Sequence, residues 1–428
     1  MMTRFCMERM KRVLFGFFLI IALMLGPALG VYAQDKIKIG IVDVFSGPFI
    51  NWGWICYNGI KFVVDEQNAK GGLLGKKIEL IKEDTELKPD VAVRKAKKLL
   101  LDDKVDILGV GTGSHVGIAC NKLASQYKKI FIQYAAAADA IQGKEFSPYS
   151  FRVGHATYPY IRGLTKFMST TPYRKFYLLN MDYAAGRDFA KDFKELMNVY
   201  MPDAKLVGED YHPLNNKDFA PYITKIINSK ADCIATFNWG PDLTLLIKQA
   251  RSMGLKSPFP FACVFGADPQ TTNELKNDMI GVHLAVVYDM GIKTPENEKM
   301  IQRYHQQHKN DKEFSWWWPA GNSGMTICGW QMTLAAIEKA GSTDPEKIIK
   351  AFEGFSYKTP AGVWTMRACD HQVLYPVFGT KIEPGSNPYY NGSIRADINF
   401  PWLSPDFKVF PAEEMAIPAN PAYNPRCK

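Results

Sequence analysis

KIKIGIVDV, residues Lys36–Val44, alternates apolar with charged positions and then runs on through Ile39, Ile41, Val42 and Val44. So short a run of β-branched residues is a strand entering a buried sheet. The next forty residues set the class of fold. Cys56, Ile60, Val63 and Val64 recur at spacings of four, seven and eight residues, one face of a helix, which Gly71-Gly72 ends. A second strand then begins at Ile78.

The pattern repeats outward from there. Pro89 opens a helix with Ala92, Ala96, Leu99 and Leu100 on its apolar side, and Val105–Val110 and Ile130–Tyr134 read as strands around a helix from His115 to Tyr127. The rhythm restarts near Arg152. Strands are expected at Phe176–Leu179, Lys205–Val207, Cys233–Phe237 and Phe259–Val264, and helices around Phe189–Met197, Phe219–Ile227 and Pro241–Met253. Alternation of this kind produces parallel sheets covered by helices on both faces. Two series of similar length predict an α/β protein of two Rossmann-like lobes, with a hinge and a cleft between them. Ligands bind such sheets at the carboxyl ends of their strands. The last third differs: helices at Thr294–His308, Asn322–Ala340 and Pro345–Gly354, strands at Val363–Arg367 and Val373–Ile382, then a tail rich in Pro, Asn and Gly.

The first thirty-three of the 428 residues read differently from the rest. Arg4, Arg9, Lys11 and Arg12 precede an apolar run from Val13 to Leu25, and Val31-Tyr32-Ala33 offers a cleavage site. Basic, apolar, then small is an export signal; the apolar run is shorter than the ~20 residues of a spanning helix. The expected mature protein is Gln34–Lys428, free in an oxidising compartment. The whole chain carries a formal +9, and residues 1–33 hold four bases and one acid, which leaves +6 for the remainder. No basic patch interleaves with aromatics, so nucleic acid is not an expected partner. Seven cysteines lie beyond the signal without C-x-x-C or zinc-finger spacing, so no metal site is expected. Cys369 and Cys427 are the favoured bridge, because it would tie down the tail.

At several points the chain resembles the leucine/isoleucine/valine-binding protein family of ABC importers. The residues that carry the resemblance are Lys38-Ile39-Gly40-Ile41, Phe45-Ser46-Gly47-Pro48, Asn58-Gly59 and Asp65–Gly75, then Gln249–Leu255 and Leu334–Gly341, in order along Lys36–Ile382. The resemblance implies a type I periplasmic binding fold with three hinge crossings, a monomer that carries a small solute to a permease in the inner membrane. It divides the chain into a signal peptide (1–33), lobe I (34–154 with about 288–365), lobe II (155–287 with about 366–382) and an irregular tail packed on a lobe (383–428).

It also implies a binding site. Amino-acid members hold the ligand carboxylate with small residues and backbone N–H groups of the first lobe, and its ammonium with an acid of the second. Gly111-Thr112-Gly113-Ser114-His115 stands at the carboxylate-gripping turn, and a helix N-terminus binds anions by its own chemistry. Ser114 adds a hydroxyl; a plain helix cap is the alternative. Ala136 and Ala137 are expected to let a ligand approach the backbone. Trp52, Tyr183 and Trp239 are the expected aromatic walls, with one of Trp316–Trp318, represented by Trp317, entering the cleft. The ammonium-binding acid should fall near Phe265, yet no carboxylate appears between Lys256 and Asp268. An unpartnered buried ammonium is costly. Either Asp182, Asp242 or Asp268 substitutes, or the ligand is a carboxylate with no amine, such as an aromatic acid; branched-chain and aromatic amino acids stay the family expectation.

No G-x-S-x-G, P-loop or H-E-x-x-H motif is present, and His115 beside Ser114 points elsewhere as its helical neighbour. The expectation is a binder without catalytic residues, cofactor or metal. A periplasmic sensor feeding a signalling receptor is the alternative class.

Overall fold

The computed structural model describes residues 36–266, 269–311, 318–319, 321–384, 402–403, 406–418 and 426–427. The first sheet holds β1 (Ile37–Asp43), β2 (Ile78–Asp84), β3 (Ile107–Val110), β4 (Ile130–Gln133) and β5 (Ser150–Arg152), all parallel, in the order β2-β1-β3-β4-β5. It is flanked by α1 (Ile50–Ala69), α2 (Pro89–Leu101) and α3 (Ser114–Tyr127). Every residue of β3 and β4 is buried, as the unbroken apolar runs require.

The second sheet repeats this plan. Its parallel strands β6 (Lys175–Met181), β7 (Lys205–His212), β8 (Cys233–Thr236), β9 (Phe261–Cys263) and β10 (Val282–Val286) run in the order β7-β6-β8-β9-β10. Helices α4 (Thr157–Met168), α5 (Ala184–Tyr200), α6 (Ala220–Ser229), α7 (Gly240–Ser252) and α8 (Pro269–Leu275) belong to this half of the sequence. Both sheets therefore reverse direction beside their first strand, β1/β3 in one and β6/β8 in the other. A crevice opens there outside the carboxyl ends of the strands.

The remaining chain serves both sheets. Helix α9 (Pro295–His308) is joined to α1 through Arg303–Glu66, and through Gln307 Nε2 donating to Asp65 Oδ2 at 2.8 Å. Helix α10 (Asn322–Ala340) packs against α1, and α11 (Pro345–Phe352) against α10. A small antiparallel sheet comes next, of β11 (Ser356–Thr359), β12 (Gly362–Met366) and β13 (Val373–Leu374). β14 (Val377–Glu383) then joins the second sheet antiparallel to β10. The single strand read at Val373–Ile382 is thus two strands in different sheets, interrupted at Tyr375-Pro376, where proline has no N–H to give a ladder. The chain passes between the large sheets after β5, after β10 and after β13.

The tail is less irregular than its composition indicates. β15 (Trp402–Leu403) and β16 (Lys408–Phe410) pair with β14, α12 (Ala412–Met415) comes after them, and Cys427 is joined to Cys369. Cys56, Cys120, Cys233, Cys263 and Cys328 remain buried thiols. Among the described residues no helix is long and apolar enough to cross a membrane.

Two of the crossings are locked together by one buried guanidinium. Arg152, at the end of β5, is 0% exposed. Its Nη1 donates to the carbonyls of Ala138 (2.7 Å) and Ala137 (3.0 Å), its Nε to Gln372, and its backbone N–H to His371 (2.9 Å). His371 itself is held on both sides: it stacks on Phe151 with centroids 4.1 Å apart and meets Glu353 at 2.8 Å. Replacing Arg152 by Met keeps the volume and strips the side-chain bonds, which strands the buried Oε1 of Gln372, while the Ala137 and Ala138 carbonyls keep their Thr157 and Ile141 donors. The expected cost is about 2–4 kcal/mol in urea-induced unfolding. A loss below about 0.5 kcal/mol, the range of an uninvolved surface position, would contradict this role.

Candidate functional site

The carboxyl ends of both sheets converge on one cleft. From the first sheet come Trp52 in the opening turn of α1, the Gly111–Ser114 turn after β3, Ala135–Ala138 after β4, and His155 after β5. From the second come Tyr183 after β6, Trp239 after β8, Phe265 after β9 and Tyr288 after β10.

The β3–α3 turn is held from behind. Asp43, wholly buried at the end of β1, accepts from the N–H groups of Val44 and Thr112 through Oδ1 and from Tyr134 Oη through Oδ2, each at 2.8 Å. Burial raises its carboxyl above the ordinary 3.8, and the backbone N–H bonds pull the other way. Gly113 caps α3 at φ 98°, a conformation natural to glycine, and so turns the first helical N–H groups toward the cleft. Those groups, with the positive end of the helix dipole, are chemically suited to an anion. Ser114 contributes in a specific way. Its Oγ accepts from the N–H groups of Ala137 (3.2 Å) and Ala138 (3.1 Å), which occupy both lone pairs and leave the hydroxyl proton to donate elsewhere.

Aromatic rings from the two sheets meet across the cleft. The Trp239 ring lies 4.8 Å from Trp52 and 4.6 Å from Phe49, and its Nε1 donates to Tyr183 Oη at 3.1 Å. Phe265 stands edge-on to Trp52 at 5.5 Å and to His155 at 4.9 Å. These rings divide the cleft into two small cavities that share Trp52, His155 and Phe265. One, of ≈ 20 Å³, abuts Thr112, Gly113 and Ser114. The other, also ≈ 20 Å³, lies toward the crossings against Tyr160, Tyr288 and Asn322. Among the described lining residues of both there is no Asp, Glu, Lys or Arg.

Six of the expected site residues line these cavities: Trp52, Ser114, Ala137, Tyr183, Trp239 and Phe265. His115 does not. Its Nε2 meets the Leu87 carbonyl at 3.0 Å and its ring stands edge-on to Tyr183, which places it behind the wall. Ala136 turns its methyl toward Gly117 of α3, where a second methyl would approach it to 2.4 Å. Trp317 lies outside the described residues; the neighbouring Trp318 stacks on His305 of α9 at 4.0 Å. The candidate ammonium partners are elsewhere too. Asp182 is exposed and paired with Arg187 at 2.8 Å. Asp242 accepts from the Asn215 N–H at 2.7 Å and is pushed up to about 6 by burial, but faces neither cavity. Asp268 lies outside the described residues.

The sequence does not single out His155, Tyr160, Tyr288 and Asn322, which the fold adds to the site. His155 comes after Gly154, which passes so close to the β4 exit that a Cβ there would lie 1.7 Å from the Tyr134 carbonyl oxygen. Gly154-His155 directly after a strand is the available signal, but β5 has only three residues and carries too little pattern to stand out as a strand. The His155 ring meets Tyr160 Oη through Nδ1 at 2.7 Å and Asn322 Oδ1 through Nε2 at 2.8 Å. Burial pulls it from the ordinary 6.5 down to about 3, with the Asn322 bond acting in the opposite sense.

That depression has a sign. Unfolded, His155 takes a proton below about 6.5; folded, it resists until about 3, so acid favours the unfolded chain and this contribution is lost as pH falls through the window. Relative to His155→Gln, the wild type is expected to lose up to about 1.4 kcal/mol per pH unit between about pH 6 and pH 4. Denaturant unfolding at stepped pH reads this, and parallel profiles for the two proteins would contradict a neutral buried ring.

A family model described as periplasmic binding protein matches residues 36–387. Among curated proteins the chain is similar to the Leu/Ile/Val-binding protein homolog 4 of Brucella melitensis biotype 1, 24% identical over 420 residues, 94% of this chain and 96% of that one. Among solved structures, the leucine-, isoleucine-, valine-, threonine- and alanine-binding protein of Brucella ovis, in its closed conformation, superposes with TM-score 0.78 at 23% identity, covering 90% of this chain and 97% of that one. A solute-binding protein of an ABC transporter from Rhodopseudomonas palustris BisB5, solved with 3,4-dihydroxy benzoic acid, gives TM-score 0.76 at 23% identity over 89% of this chain and 98% of that one. Two sheets with one strand order, a cleft at their carboxyl ends and a match across most of the sequence converge: the chain belongs to the periplasmic binding protein family of solute-binding proteins.

Proposed function

We propose that this protein captures a small carboxylate lacking an ammonium group, an aromatic acid being the best fit, and delivers it to an ABC permease from the periplasm after loss of residues 1–33. The observation that carries the reading is the donor-only anion site beside an aromatic wall, with no acid among the described lining residues. At one end the N-terminus of α3 and the Ser114 hydroxyl supply donors to the cavity that they line, which suits a carboxylate. Between the ends, Trp52, Trp239 and Phe265 form an apolar aromatic wall. Walls of this kind with few polar groups suit a planar ligand. The lobes open about the three crossings to admit the ligand between these rings, and closure then buries it.

An α-amino acid is the second reading, favoured by the names of the Brucella relatives. It needs an acceptor for the ammonium. Glu274 is a carboxylate near the cleft, but it lines a separate groove with Lys217, Gly240 and the outer side of Trp52. An ammonium left without a carboxylate in a dry cleft is strongly disfavoured.

A thermal-unfolding screen of the protein against benzoic acids, short-chain acids and amino acids separates the two. A ligand at a hundred times its Kd adds about 2.7 kcal/mol of stability. Aromatic acids are expected to raise the melting temperature by several degrees and leucine to leave it unchanged. Stabilisation by leucine or phenylalanine and none by the acids would overturn the reading in favour of the amino acid.

A further inference from the structure

The inner cavity, against the crossings, is built to a different specification from the anion end. His155 is uncharged, and each ring nitrogen has one partner. Asn322 Oδ1 only accepts, so the ring proton sits on Nε2, and Nδ1 then accepts from Tyr160 Oη. Tyr288 is committed as well, its Oη donating to Asn297 Oδ1 at 2.8 Å. The side-chain donor that remains on this wall is the Asn322 amino group, Nδ2, which meets no acceptor among the described residues and is not among the sealed, unpaired polar atoms of the core.

Three elements fix the direction of that amide. Asn322 opens α10, His155 stands in the first crossing, and Tyr160 lies on α4. Flipping the amide would put the ring proton on Nδ1 and turn the Tyr160 proton to the weak acceptor Met325 Sδ at 3.6 Å, so the orientation with Oδ1 on Nε2 keeps the stronger set of bonds. The cavity it faces, ≈ 20 Å³, has room for one group the size of a water, given that a water needs about 10–15 Å³ on this measure. Space and polarity together select that group. An ammonium would oppose a donor with no acid nearby. A second carboxylate would be buried against a single N–H. A neutral oxygen that accepts, a hydroxyl or a carbonyl, satisfies the amide and fits the space.

We propose that Asn322 is the specificity-determining residue for the far end of the ligand, with His155 and Tyr160 as its positioning residues. The ligand is then a carboxylate carrying an uncharged oxygen acceptor remote from the carboxylate. This rests on the carboxylate reading above and narrows it.

Isothermal titration with benzoate and para-hydroxybenzoate tests it. In the wild type the hydroxylated acid binds about tenfold tighter or more, because benzoate leaves the amide unpaired. Asn322→Leu is expected to bring the ratio to within about twofold, chiefly by weakening the hydroxylated acid. His155→Phe frees the amide to rotate and is expected to reduce the ratio, a selective change that general loss of structure would not produce. The wild-type ratio alone decides if the variants do not fold. Equal affinity for the two acids in the wild type, or equal weakening of both in Asn322→Leu, overturns the role of Asn322 and leaves the carboxylate reading standing. Failure of both acids to bind, with binding of leucine, overturns the carboxylate reading and this inference with it.

Discussion

The carboxylate of Asp43 is the constraint from which the site is built. It sits at the end of β1, where the first sheet reverses direction and its strand ends diverge. Thr112 N–H and Tyr134 Oη would otherwise be buried polar groups without partners; Asp43 takes both and its own neighbour Val44 N–H, fixing the exits of β1, β3 and β4 to each other. Removing a buried acceptor that serves several donors costs more than the bonds it makes, because the donors are stranded. The Gly111–Ser114 turn, and hence the anion-binding end of α3, inherits its position from this one group.

Behind it stands a second fixed point, Arg152. By holding the carbonyls of Ala137 and Ala138 it presents their N–H groups to Ser114 Oγ, which in turn leaves the Ser114 proton free for a ligand. The same arginine grips Gln372 and His371, which lead into β13 and the third crossing. The N-terminus of α3 and the crossings between the two sheets are therefore parts of one hydrogen-bonded unit. The aromatic rings are different in kind. Phe49, Trp52, Trp239 and Phe265 meet across the cleft through dispersion and edge-to-face contacts, which are made and broken without stranding a donor. Rigid polar ends with a separable apolar wall between them suit the opening and closing proposed for this cleft.

Much of this is legible in the amino-acid order. The strands and helices of the two α/β series fall where apolar periodicity puts them, because parallel strands buried on both faces need continuous apolar runs and their helices need a stripe. Helix Asn322–Ala340 is legible to the residue. Trp52, Ser114, Trp239 and Phe265 can be nominated because strand ends on a parallel sheet all point one way. Short elements escape: β5 with three residues and β11 with four carry too little periodicity to register, and β10 and α4 are hidden beside stronger signals. His155 is lost together with β5. Ala136 and His115 are misplaced for another reason. In a loop or a helix start, adjacent residues face different directions, and only the packing of Gly117 against Ala136 and of Leu87 against His115 decides which one turns inward.

The sequence by itself determined the α/β class, the repeat of two series, the absence of an acid near Phe265 and the helix N-terminus at Ser114. These are local properties, set by residue type, spacing and dihedral preference. Only the tertiary structure decided that Asp182 and Asp242 face away from the cavities, that β13 and β14 part into different sheets, and that His155, Tyr160 and Asn322 meet. Those residues lie on separate elements as far apart in sequence as the first crossing and α10. Their meeting comes from how two sheets pack across three crossings, a global balance of burial and hydrogen-bond satisfaction that no single segment encodes.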